Sequence, residues 1–231
     1  LPQGNKRNKL VSSIVKESIL LDRERTIQKL RELKDIETKD ILILEAGTAI
    51  SKIDPSWALN MATGISESSA RCALYRKISE DLRSSFPKPK FDQPSLQALC
   101  YLGLAREKAK SDESKANALY EKALKEIEKI VHPLEKSYLL CSLVAEWSGS
   151  DDERALPIVE KIPSEYSEPY SYALLQVGSQ LRKWNRKGAE SFFQKVLSSS
   201  ITIPDPFIRS KRLIQLANQW QFLNPEKGKE I

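Results

Sequence analysis

One five-position pattern recurs along this chain and restricts its fold more than any other feature. A small or aliphatic residue is followed three places on by a large one, then four on by Asp or Asn. Four further comes Ala or Gly, and seven beyond that an apolar residue. Gly47, Ile50, Asp54, Ala58 and Ile65 spell it out, as do Val144, Trp147, Asp151, Ala155 and Ile162. Gly178, Leu181, Asn185, Ala189, Val196 and Ala105, Lys108, Asp112, Ala116, Ala123 are further copies. Ala217, Trp220, Asn224, Gly228 open a fifth, and Val15, Ser18, Asp22, Thr26, Leu33 form a weaker first. Self-similarity at this period predicts stacked helical hairpins. Such arrays offer binding surfaces more often than catalytic pockets.

The physical reason for the pattern is helix pairing. Two helices approach closely only where one presents a small side chain, hence Ala or Gly at the fourth position. Asp or Asn four residues earlier suits the start of the second helix, where its side chain accepts orphan backbone N–H groups. The large residue fills the gap between neighbouring hairpins. Apolar spacing places Leu10, Val11, Ile14 and Val15 on one face of an opening helix, and Thr26, Ile27, Leu30 and Leu33 on the next. A third helix is predicted from about Thr38 to Ser51, burying Ile41, Leu44 and Gly47. Asp54-Pro55 and Asn224-Pro225 combine a cap with Pro at the first helical position, a strong start signal. Three prolines within 86–94 break the pattern. The interval from Ala58 to Ala116 is also longer than the others. Residues 1–231 are therefore expected to form a single helical-repeat domain with a Pro-rich insertion or seam at 86–94.

Composition agrees with a folded helical chain: 40% hydrophobic, 29% charged and only 8 Gly in 231 residues. No apolar run approaches the ~18 residues of a membrane span, so a soluble chain is expected. The net charge of +6 is mild and its signs are interspersed, as on a solvated helical surface. Cys72, Cys100 and Cys141 are widely spaced without a CxxC, and they read as buried thiols. Three unpaired cysteines lean toward a reducing compartment. The opening Leu1-Pro2-Gln3-Gly4 lacks an initiator Met, which fits either a trimmed chain or a mature exported product. Localisation stays open, with the cytoplasm favoured.

Ala116, Tyr120, Ala123 and Leu124 reproduce the second-helix pattern of tetratricopeptide repeats, and Gly188-Ala189, Phe193, Val196 and Leu197 follow it closely. Tyr101-Leu102-Gly103 is similar to that family's first-helix Leu-Gly pair. The chain thus resembles tetratricopeptide-like α-solenoids, most strongly in these two repeats. The resemblance implies an all-α fold of αα-hairpins stacked in a right-handed superhelix. It also implies that first helices, here about 38–51, 95–109, 134–147, 168–182 and 206–221, line a concave face. Three sets of equivalent positions would form its floor. They are Ile41, Leu99, Tyr138, Tyr172, Lys211; Leu44, Leu102, Cys141, Leu175, Ile214; and Thr48, Arg106, Ala145, Ser179, Asn218. Tyr138, Tyr172, Arg106, Ser179, Asn218 and Lys211 are the groove candidates. An amphipathic helix or extended apolar segment fits such a floor better than a C-terminal carboxylate.

Catalytic constellations are not legible. His132 is the single histidine and precedes Pro133 in a predicted turn, and no nucleophile elbow, metalloprotease or nucleotide-loop motif occurs. Asp151-Asp152-Glu153 begins a helix, where acids favour the macrodipole. The reading is a non-enzymatic protein–protein scaffold without cofactor. A rival is a nucleic-acid-binding repeat using the basic turn Arg182, Lys183, Trp184, Arg186 and Lys187, with Arg209, Lys211 and Arg212 on the next helix. Lys6, Arg7 and Lys9 read as a basic N-terminal arm. Another rival is the helical accessory region of a larger enzyme. The unfinished hairpin from Glu226 to Ile231 suggests self-association through the C-terminal end.

Overall fold

The computed structural model describes residues 2–84, 91–148 and 152–231, with the side chains of residues 2–10, 12, 84, 152 and 153 outside that set. The described residues form helices and no strand. They are α1 (Pro2–Leu21), α2 (Arg23–Arg31), α3 (Ile36–Ile50), α4 (Pro55–Ala62), α5 (Ser68–Ser84), α6 (Pro94–Lys108) and α7 (Glu113–Glu128). α8 (Pro133–Trp147), α9 (Asp152–Val159), α10 (Ser167–Leu181), α11 (Arg186–Ser200), α12 (Pro206–Trp220) and α13 (Pro225–Glu230) follow. None is long and apolar enough to cross a membrane.

Short polar side chains decide where these helices begin. Asp22, Asp35, Asp54, Asp112, Asn185, Asp205 and Asn224 each accept a backbone N–H of the first turn. His132 does the same through Nδ1, 3.3 Å from the Glu135 N–H, so the lone histidine is a helix cap. Pro occupies the first turn of α4, α6, α8, α12 and α13, where its missing N–H is harmless. Each cap contributes about 1 kcal/mol. The cap expected at Asp151 lies outside the described residues, as do the side chains of Asp152 and Glu153 and residues 86–90 of the Pro-rich stretch.

The chain separates into two compact units, Leu1–Phe91 and Asp92–Ile231, with the division inside the stretch 86–94. In the first, α3 packs on α1, α2, α4 and α5. Gly47 makes this possible, since a Cβ there would lie 2.6 Å from Leu74 Cδ2 of α5. The apolar face of α3 is rotated from the expected one. Leu42, Ile43, Ala46 and Ile50 are buried, whereas Ile41 is 48% exposed. The run Ile41-Leu42-Ile43-Leu44 is apolar all round and carries no phase, so packing chose the face. Ile14 of α1 is likewise exposed and Ile19 buried. Lys6, Arg7 and Lys9 fall within α1, not a loose arm, and their side chains lie outside the described set.

In the second unit, α6 pairs with α7, α8 with α9, α10 with α11 and α12 with α13. Successive first helices pack on one another, α6 on α8, α8 on α10 and α10 on α12. The second helix of each pair packs on the first helix of the next. The small anchors Ala116, Ala155 and Ala189 are fully buried. Between pairs, Tyr120 of α7 stacks on Trp147 of α8 with ring centroids 5.2 Å apart, and Phe193 of α11 meets Trp220 of α12 at 5.9 Å. Both tyrosine and phenylalanine lie four residues after the alanine anchor, and both tryptophans three after the small residue of the following helix. Val159 and Leu181 hold these positions at the intervening junction, and both are buried. Trp147 Nε1 donates to Asn117 Oδ1 at 2.9 Å. The buried Trp220 Nε1 has no partner, because Glu190, at the place of Asn117, pairs with Lys227. Among the cysteines, Cys100 and Cys141 are buried as expected, while Cys72 is only half-buried.

Trp147→Ala and Trp220→Ala should each lower the free energy of unfolding by about 3–5 kcal/mol in urea titrations. Trp184→Ala, at an exposed turn, should change it by less than about 0.5 kcal/mol.

Candidate partner-binding surfaces

The six groove candidates fall in two registers of the first helices, Tyr138, Tyr172 and Lys211 in one and Arg106, Ser179 and Asn218 in the other, and burial separates them. Tyr138 is only 5% exposed. Arg106 is half-buried and forms a two-pronged ion pair with Glu146 of α8, both contacts 2.8 Å. Tyr172 is half-buried, with the Arg212 guanidinium 4.6 Å from its ring centre. Ser179 Oγ donates to the Leu175 carbonyl one turn back. Lys211 is half-buried, and Asn218 is the one fully exposed member.

These contacts explain the pattern. The register that the family resemblance assigns to a groove is, in the second unit, the seam between successive first helices. Leu99, Leu102, Cys141 and Leu175 at those positions are buried as well. On α12 the face is more open: Ile214 is 62% exposed, and Phe207, two turns earlier on the same face, is also exposed. In the first unit, Ile41 is the corresponding exposed residue, with Leu44 and Thr48 half-buried.

Ionisable groups inside each unit hold helices together. Arg212, 1% exposed, donates to Glu168 Oε1 of α10 at 2.8 Å and to Gln215 Oε1 at 2.8 Å. Arg209 donates to the Ile203 carbonyl. The cluster Arg209 and Arg212, read from sequence as a basic surface, is thus turned inward. Ser95 and Glu135 join α6 to α8. In the first unit, the buried Asp40 carboxylate accepts the Ser66 and Glu67 N–H groups just before α5, at 2.9–3.0 Å. Burial pushes its carboxyl above the ordinary 3.8, and the backbone donors oppose that only in part. Asp112 moves the other way, its carboxyl held below 3.8 first by the Lys115 side chain and then by the Lys115 N–H. Asp35 is lowered by Thr38 in the same manner.

Concave features are shallow. A groove of about 450 Å³ lies between α2 and α4, lined by Ile27, Gln28, Arg31, Trp57 and Asn60. Another of about 340 Å³ lies along α11, α12 and α13, lined by Leu197, Ile201, Leu213 and Trp220. Among the described residues no group of three His, Cys, Asp or Glu is placed to hold a metal ion.

The basic turn is brought to an exposed edge. Trp184 is 61% exposed, and Lys183, Arg186 and Lys187 are exposed beside it. Arg182 lies over the ring of Phe222 at 4.2 Å, and Arg186 Nη2 donates to the Leu223 carbonyl at 2.9 Å. The α10–α11 and α12–α13 turns are therefore one surface. Phe222, 67% exposed, was missed in the sequence. Its signal is register: it follows Ala217 by the same five positions that separate Lys183 from Gly178. Compared with family models, curated proteins and solved structures, the chain matches none.

Glu168→Gln should lower stability by about 3 kcal/mol, because it leaves the Arg212 charge buried against a neutral amide. The double variant Glu168→Leu with Arg212→Met should recover much of that loss in the same urea titrations. Carboxyl NMR titration should place the Asp40 midpoint above 3.8 and those of Asp112 and Asp35 below it. The native state then holds the Asp40 proton more tightly than the unfolded chain. Its contribution is most favourable below 3.8 and declines as pH rises through the raised midpoint. The contributions of Asp112 and Asp35 are present above 3.8 and vanish as pH falls through their lowered midpoints.

Proposed function

We propose that this chain is a divergent helical-hairpin repeat protein, akin to tetratricopeptide arrays, that holds a segment of another protein and catalyses no reaction. The observation that carries the reading is the recurrence of one seam. The Tyr120–Trp147 and Phe193–Trp220 contacts occupy the same register at two junctions between helix pairs, with Val159 and Leu181 at those positions in the junction between them. A unit repeated with a constant small rotation builds a superhelix with an extended binding face. The right-handed tetratricopeptide form is the one proposed here.

The Glu168–Arg212 and Arg106–Glu146 ion pairs cross-link helices within a unit, so these charges are engaged inside it. The contact surface assigned to the partner is the open register of α12, centred on Ile214 with Phe207 and Asn218. An aliphatic side chain flanked by an aromatic ring and an amide suits an amphipathic helix laid along α12, which would extend the succession α8, α10, α12 by one more helix.

The test is affinity capture with mass spectrometry, using the native chain and Ile214→Glu. Ile214 is exposed, so its replacement should leave the unfolding free energy within about 0.5 kcal/mol. A protein retained by the native chain and lost with Ile214→Glu is the expected result. Identical capture by both chains, or none by either, rejects the reading.

A further inference from the structure

The edge made by the α10–α11 and α12–α13 turns gathers cations and exposed aromatic rings. α2, α3, α7, α8, α10 and α13 carry an acid in the first turn, complementing the helix dipole, while α4, α5, α6 and α12 have none there. α11 carries none and starts with Arg186 and Lys187, which the dipole disfavours. Helix stability therefore does not account for these cations. No acid occurs from Arg182 to Ala189 or from Pro206 to Pro225. The next acids, Glu190 and Glu226, are each paired with a lysine, Lys227 and Lys229. The edge is thus cationic with its nearby acids already engaged.

Two exposed aromatic rings stand among these cations. Trp147 and Trp220 are buried in the seams, but Trp184 has 61% of its surface in water at a turn tip. Phe222 is 67% exposed even with the Arg182 guanidinium 4.2 Å from its ring centre, so the ring is backed by a cation on one side and open elsewhere. Exposed aromatics cost apolar hydration, and the open faces of these two rings are available for stacking. A flat ring beside phosphate-binding cations satisfies both halves of a nucleotide, and only an unpaired base can reach the ring. A membrane surface fits less well. Beyond the two rings the turns offer only the half-buried Leu223 as apolar surface, and shallow anchoring draws on buried apolar area as well as charge.

We propose that this edge binds single-stranded nucleic acid, with phosphates on Arg182, Lys183, Arg186 and Lys187 and bases stacked on Trp184 and Phe222. This surface is separate from the Ile214 register of α12, so the two assignments fail independently.

Tryptophan emission of the full chain reads the interaction, because Trp184 is the one indole that is largely exposed. Titration at low salt with an oligothymidylate of about 15 nucleotides, the upper range of a compact single-strand site, should quench that emission. Trp184→Ala should abolish the quenching, and Phe222→Ala should weaken binding about tenfold, as loss of one stacked base does. The slope of log K against log salt should fall by about 0.7 in Lys187→Ala, the increment for one phosphate contact on a single strand. Ile214→Glu should bind as the native chain does. Three results overturn the proposal. One is no quenching at low salt. Another is equal affinity for duplex DNA that is indifferent to Trp184 and Phe222. The last is a blue shift with phosphatidylserine–phosphatidylcholine vesicles and no response to the oligonucleotide.

Discussion

In the second unit, each helix pair buries one face internally and packs a second face against the next pair. That second contact is the constraint on which the rest depends. In the second unit it is met by an aromatic or aliphatic side chain from one pair meeting a large residue at the start of the next, as in Tyr120 with Trp147 and Phe193 with Trp220. The small anchors Ala116, Ala155 and Ala189 let the helices of a pair close up, and this brings the larger side chains to the outside of the pair.

The same arrangement sorts the charges. Charged residues at junctions between first helices are desolvated and must be paired, so Arg106 meets Glu146 and Arg212 meets Glu168. Residues at the turns are less enclosed: Lys183, Arg186 and Lys187 are exposed, and Arg182 is half-buried against Phe222. Arg182, Lys183, Arg186 and Lys187 lie there, and they are free of the geometric demand that fixes Arg212. A chain with a net charge of only +6 can therefore present a concentrated cationic edge, because many of its opposite charges neutralise one another elsewhere.

Much of the helical organisation was legible in the residues. Asp54, Asp112, Asn185 and Asn224 cap the helices they were expected to cap, since an N-cap depends on only three or four neighbouring residues. The face of a helix was less legible. Ile41 and Leu42 are equally apolar, and nothing local says which one meets α1 and α5. Site assignment suffered in the same way. Tyr138 and Arg106 were placed by register alone, and register does not say whether a position faces a groove or the neighbouring helix. Phe222 was invisible as a companion of Arg182 because forty residues separate them in the chain.

The residues by themselves determined the all-helical character, the helix starts, and the recurrence of small anchors and large fillers. These follow from interactions within a turn or two of helix, which sequence spacing encodes directly. Tertiary structure alone decided which polar residues became internal ties and which stayed at the surface. Arg212 and Arg182 are both arginines of basic clusters, yet one is enclosed between α10 and α12 while the other lies on an exposed ring. The difference is desolvation, and desolvation is set by whichever distant helix happens to pack against the side chain.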